Sequence, residues 1–296
     1  MSALYANLLN FAGRRYLKWA AMLLAVSVLL YLSQDIALPR NGGSWQGYAL
    51  GSIGLLLIVW LSCLGIRKRD YNNQRGSLQA WVSAHIYLGL ALPLIATLHC
   101  AFQFGNNVHT LAYLLMWTVV ISGAYGLYSY LRYPLMMIGN RANKAFDERL
   151  KELEDSDQNG REVAAQCNET VNAIVNSAID RSSIGGGFLD QLLARDRSTV
   201  LLPGDSGELM LRNNVGQQAA IDFLAAKIPA TSKSGEAEKL RDLLSLLGRR
   251  AELLRRLRQE ISLQLRLKVW LSAHVPLTAA LLVALVAHVI SVFFYW

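Results

Sequence analysis

Three cysteines in 296 residues leave little room for thiolate chemistry. Cys63, Cys100 and Cys167 form no C-x-x-C or C-x-x-C-H pattern, which excludes covalent c-type haem, a thiolate zinc site and a cysteine-ligated iron–sulfur cluster within the chain. Acidic residues are scarce in a more local sense. Nineteen of the 21 Asp and Glu fall between 132 and 268, and everything outside that segment holds only Asp35 and Asp70. Histidine shows the opposite distribution: all five lie outside 132–268, so that segment offers no imidazole for acid–base or nucleophilic catalysis. Its Gly185-Gly186-Gly187 run lacks G-x-G-x-x-G spacing and follows no strong strand, so a plain flexible loop is expected there rather than a nucleotide-binding turn.

What remains is apolar. Hydrophobic residues make up 53% of the chain and charged residues 17%, an average over two unlike polymers. Outside 132–268, apolar runs near 17–33, 47–66, 81–103, 110–131 and 269–293 are long enough to cross a hydrocarbon core about 30 Å thick. The predicted fold class is therefore an all-α membrane protein. It comprises transmembrane spans one to four in 1–131, a mainly helical cytoplasmic insert over 132–268, and a fifth span in 269–296.

Charge sets the expected orientation. Arg14, Arg15 and Lys18 precede the first span, and Arg67, Lys68, Arg69 and Arg75 follow the second. The first connection holds only Asp35 and Arg40, and residues 104–109 are uncharged apart from His109. By the positive-inside rule the N-terminus, the 67–80 loop and the insert face the cytoplasm, with Trp296 outside, as in a bacterial inner membrane. The net charge of +8 then reports topology and implies no nucleic-acid partner. Arg14-Arg15 ahead of an apolar run also fits a secretory or twin-arginine signal, whose removal would leave four spans.

Within the insert, Tyr133-Pro134 is expected to end or kink span four, and 136–155 reads as a charged, moderately amphipathic helix. Acidic and amide-rich residues 155–169 follow, then an apolar-periodic stretch to Ile179. Thr199–Leu202 and Glu208–Leu211 flank a Pro203-Gly204-Asp205-Ser206-Gly207 turn and predict a hairpin. From Glu236, leucines at three- and four-residue spacing (Leu240, Leu243, Leu247, Leu254, Leu257) run without a Pro or Gly cluster toward span five. One long helix is expected, its apolar stripe covered by 136–155 returning antiparallel or by another subunit.

The histidines carry the chemistry. Trp81-Val82-Ser83-Ala84-His85 with His99, and Trp270-Leu271-Ser272-Ala273-His274 with His288, repeat one pattern with the second histidine fourteen residues on. Fourteen steps fall only about 40° short of four helical turns, so each pair shares a face with about 21 Å between its members. An imidazole in hydrocarbon is costly and marks function by default. Spans three and five run the same way, which pairs His85 with His274 at the inner level and His99 with His288 at the outer. Two such pairs make the axial ligand set for two stacked b-type haems, with no coordination position left open on either iron. Ala84, Gly89, Ala96, Ala273, Ala284 and Ala287 are candidates to let macrocycles approach the backbone. Arg75, Arg266 and Lys268 are candidate propionate contacts inside, and His109 or Asn107 candidate propionate or quinone contacts outside. The same histidines also fit a transition-metal ion transport path or a haem-based membrane sensor.

With His85, His99, His274 and His288 on its third and fifth spans, the chain resembles the transmembrane part of ferric-reductase-like di-haem cytochromes b, a group that includes NADPH oxidases, and more loosely the cytochrome b561 type. The resemblance covers 47–131 and 269–293. It implies electron transfer across the membrane through two b haems. Members of that group usually carry a flavin- and NADPH-binding domain after a sixth span, where this sequence shows Phe293-Phe294-Tyr295-Trp296. The expected electron donor or acceptor is then a partner subunit on either side of the membrane or a quinone. The chain itself is expected to be a non-catalytic subunit of a larger oxidoreductase in a respiratory chain.

Overall fold

The computed structural model describes residues 9–35, 41–69, 77–141, 146–204, 208–229 and 234–294. The chain divides into two compact units, Met1–Leu131 with Val269–Trp296, and Arg132–Lys268. Arg75, Trp296 and the hairpin turn at 205–207 lie outside the described residues.

The first unit is built from helices α1 (Phe11–Leu32), α2 (Trp45–Arg69), α3 (Leu78–His99), α4 (Val108–Arg141) and the C-terminal part of α9 (Ser234–Phe294). Each of the five is long and apolar enough to cross a membrane. Their outward faces keep large apolar side chains such as Leu56, Ile121, Val283 and Phe293 exposed, the surface a lipid bilayer would cover. Ala12, Gly13 and Arg14 take left-handed backbone angles, so regular helix in α1 begins only after them.

Two clusters hold the bundle. Ala20, Leu50, Ala91 and Ile95 join α1, α2 and α3, while Ile58, Leu92, Met116 and Leu281 join α2, α3, α4 and α9. Ser77 caps α3 through the Ala80 amide at 3.2 Å, and Asn107 caps α4 through the Thr110 amide at 3.0 Å. Helix α3 stops at His99 rather than continuing to 103. The Phe102 amide donates to the Thr97 carbonyl and the Ala101 amide to that of Leu98, with Ala101 at φ 50° and Phe102 at φ 62°. This pair of reversed bonds closes a helix C-terminus. Conversely, α4 passes through Pro134 to Arg141. One forfeited backbone bond does not end a helix whose neighbouring turns remain satisfied.

The second unit also departs from expectation. Of 136–155, the described residues lie in the end of α4 and in α5 (Phe146–Ala164), which also takes up most of the acidic 155–169 stretch; residues 142–145 lie outside the described residues. Helices α6 (Glu169–Asp180), α7 (Phe188–Leu192) and α8 (Gln218–Lys227) follow in order, with strands β1 (Thr199–Pro203) and β2 (Leu209–Asn213) between α7 and α8. The strands pair antiparallel, Leu201 opposite Leu211. The leucine stripe of α9 divides its partners. Leu240, Leu243 and Leu247 pack with Val171, Ile174, Val200 and Leu224 from α6, β1 and α8, whereas only Leu254 and Leu257 meet Leu153 and Phe146 of α5.

Arginines of α9 hold the residues that lead into the glycine run. Arg250 donates to Asp157 at 2.5 Å and to Ser182 at 2.7 Å. Arg258 donates to the Ser183 carbonyl at 2.7 Å and pairs with Asp196 at 2.8 Å. Burial pushes the Asp196 carboxyl up, but hydrogen bonds from Ser198 and the Gly216 amide, with Arg258 alongside, hold it below its ordinary value. Arg149 and Glu260 form a further buried ion pair.

Candidate functional site

The site lies in the first unit, where α3 and α9 bring their histidines level. The rings of His99 and His288 sit 6.1 Å apart between centroids at 88°, and His85 lies within electrostatic reach of His274. The two helices therefore run in the same direction, with His99 level with His288 and His85 level with His274.

The repeated tryptophans tie each of these helices to the one before it. Trp81 stacks on Trp60 of α2 at 5.0 Å and 6°. Trp270 donates its indole N–H to the Ser122 carbonyl of α4 at 2.8 Å and packs onto Gly126, where any Cβ would overlap the indole. An indole in an apolar layer needs a partner for its N–H, and the bond it makes also sets the rotation of the helix.

Helices α2 and α4 also engage the histidine rings. His99 donates its Nδ1 proton to the Gly47 carbonyl at 2.8 Å. His274 Nδ1 bonds Ser122 Oγ at 3.1 Å. His288 Nδ1 and His109 Nδ1 are in hydrogen-bond contact, their rings 4.5 Å apart and perpendicular. The His85 ring approaches the Leu61 carbonyl, while its buried Nδ1 makes no hydrogen bond. Gly47 and Leu61 are fourteen residues apart, and His109 and Ser122 thirteen, so the supporting helices nearly repeat the spacing of the histidines they serve. Of these partners, only His109 was singled out in the sequence, and there as a propionate or quinone contact; the Gly47 and Leu61 carbonyls carry no residue signature, and the recurrence of Gly47, Gly51 and Gly54 on one helical face is the signal that was available.

Space is provided by glycine on the same helices. A Cβ at Gly51 would stand 2.8 Å from His99 Cε1, and one at Gly123 would stand 3.6 Å from His274 Cε1. Of the small residues singled out in the sequence, Ala96 lines the cavity described below, Ala84 and Ala284 are buried in helix packing, and Ala273 and Ala287 face outward. A cavity of about 760 Å³ opens beside His99, His109 and His288, lined also by Gly51, Gly54 and Tyr113. That volume falls within the range of cofactor and ligand pockets, roughly 300–1,000 Å³.

The remaining candidates have other engagements. Arg266 donates to the Leu192 carbonyl at 3.1 Å, Asn107 is the cap of α4, and Lys268 is exposed. Among the described residues no group of three His, Cys, Asp or Glu is arranged to hold a bare metal ion.

The donor set fits a bis-imidazole iron. Metal–nitrogen bonds of about 2 Å to two imidazoles hold their centroids roughly 6 Å apart, the separation of His99 and His288. Engagement of Nδ1 leaves Nε2 as the nitrogen that would be free to coordinate a metal in His99, His274 and His288. Compared with known proteins, the chain matches no family model, no curated protein and no solved structure.

Proposed function

We propose that this protein carries electrons across a membrane through two b-type haems, one held by His85 and His274 and the other by His99 and His288. The observation that carries the reading is the outer pair: two imidazoles 6.1 Å apart with both Nδ1 atoms occupied, beside a cavity kept open by glycine. Haem held by these two histidine pairs would supply reversible one-electron exchange.

The chain's own residues hold and orient. The Gly47 carbonyl fixes the tautomer of His99, and Ser122 steadies His274. His109 and His288 share one proton between their Nδ1 atoms, which keeps Nε2 of His288 free for the iron. Gly51 leaves room for the edge of the His99 ring. The helical rise separates the two levels by about 21 Å, enough to bring each toward its own face of the bilayer.

Charge asymmetry supports an N-terminus and a 132–268 unit on the cytoplasmic side of a bacterial inner membrane. A membrane quinone or a partner subunit would then donate or accept electrons at each end, making the chain the membrane subunit of a redox complex.

A reduced-minus-oxidised spectrum with haem quantitation tests this. Two low-spin b haems per chain, inert to carbon monoxide, are expected, and a colourless preparation or one holding only a bare metal ion overturns the reading. His288→Ala should remove one haem; loss of both or neither contradicts the pairing.

A further inference from the structure

Strand β2 is an open edge with an unusual composition. All five of its residues are exposed, and Leu209, Met210 and Leu211 stand 49%, 50% and 57% accessible. Natural edge strands usually protect themselves with lysine, proline or a covering element. The far edge of β1 is covered, its Thr199 and Leu201 amides donating to the Arg181 carbonyl and to Ser177 Oγ. Strand β2 has no equivalent cover among the described residues.

The ladder decides which backbone groups are on offer. The Gly204 amide donates to the Glu208 carbonyl and the Asn214 amide to the Ser198 carbonyl at its two ends. Alternation then turns the backbone of Met210 and Arg212 toward β1, and that of Leu209 and Leu211 outward. The side chains form a short palindrome of opposite charge, Glu208-Leu209-Met210-Leu211-Arg212. Glu208 and Arg212 are both exposed, and neither forms an ion pair with another described residue.

We propose that β2 pairs antiparallel with β2 of a second copy of this chain, about a two-fold axis at Met210, giving a four-stranded sheet. In that register Leu209 faces Leu211 of the other copy as a hydrogen-bonded pair, which uses the outward backbone groups. Met210 faces itself, and Glu208 faces Arg212 in a non-hydrogen-bonded pair, the closer kind. Sliding either strand by two residues keeps the hydrogen bonds but separates Glu208 from Arg212. The charges therefore select both the partner and the register.

The full-length protein in vesicles, with Cys63, Cys100 and Cys167 replaced by alanine, provides the test. Met210→Cys is expected to form a covalent dimer on mild oxidation, and Asn213→Cys, placed about 20 Å from its counterpart, is not. In the protein with its own residues, light scattering in detergent is expected to show a dimer. Glu208→Lys or Arg212→Glu should weaken that dimer roughly tenfold through like charges facing across the strands, and the double reversal should restore it. Equal cross-linking at both positions, a monomer throughout, or a double reversal that restores nothing overturns the proposal in favour of a lipid or foreign-protein cover.

Discussion

His99 gives its Nδ1 proton to the carbonyl of Gly47, 2.8 Å away on the preceding helix. The bond fixes the ring of a histidine on the last turn of α3, where fraying would otherwise leave it free to turn. Three of the four paired histidines are steadied at Nδ1 in this way, and the predictions concern what those supports contribute.

Gly51→Ala puts a Cβ against the His99 ring, an overpacking that costs about 1–3 kcal/mol unless the ring moves. Pyridine haemochrome assay should find close to one haem per chain instead of two, with the inner spectrum unchanged. Two haems at full occupancy would refute the assignment of Gly51 as the spacer.

Ser122→Ala deletes the oxygen that meets His274 Nδ1 and leaves the Trp270 bond, which uses the Ser122 carbonyl, in place. Loss of such a supporting bond typically weakens metal-site affinity by about 10- to 100-fold. Competition with apomyoglobin should extract the inner haem faster than from the unaltered protein, with the outer haem unaffected.

Trp270→Phe removes one hydrogen bond in a water-poor layer, worth about 1 kcal/mol, and the melting temperature in detergent should fall modestly. Gly126→Leu is expected to be far more damaging, because its side chain enters the volume of the indole ring. Equal effects of the two changes would argue against close packing at this crossing.

Asp196 titrates below its ordinary value in the folded protein. Its ionised form therefore stabilises the fold fully above the unfolded carboxyl pKa near 4, and that contribution disappears as pH falls through the lower folded value. Asp196→Ala leaves Arg258 buried without its counter-charge, a loss on the order of 3 kcal/mol at neutral pH. Melting temperature against pH should drop more steeply below about pH 4 for the unaltered protein than for the variant.

The sequence was a good guide wherever one-dimensional spacing is itself the physics. Apolar length predicts a span because a bilayer has a set thickness, and five helices of sufficient length are present. Fourteen-residue spacing predicts a shared face because helical pitch is constant. It was a poor guide at helix ends. Pro134 did not stop α4, and α3 ended at His99, four residues before the end of its apolar run, through left-handed Ala101 and Phe102. Such ends depend on where backbone groups find partners, which hydropathy does not record.

By itself, then, the sequence determined the two populations of helix, the five histidines and the common face of each pair. Only the tertiary structure decided which carbonyl, hydroxyl or imidazole holds the rings of His99, His274 and His288, that Gly51 of α2 makes room for His99, and that α9 divides its leucines between α5 and the α6–β1–α8 core. The physical reason is that a supporting contact joins two helices: its donor can be read from one segment, but its acceptor exists only once a second segment has been packed against it.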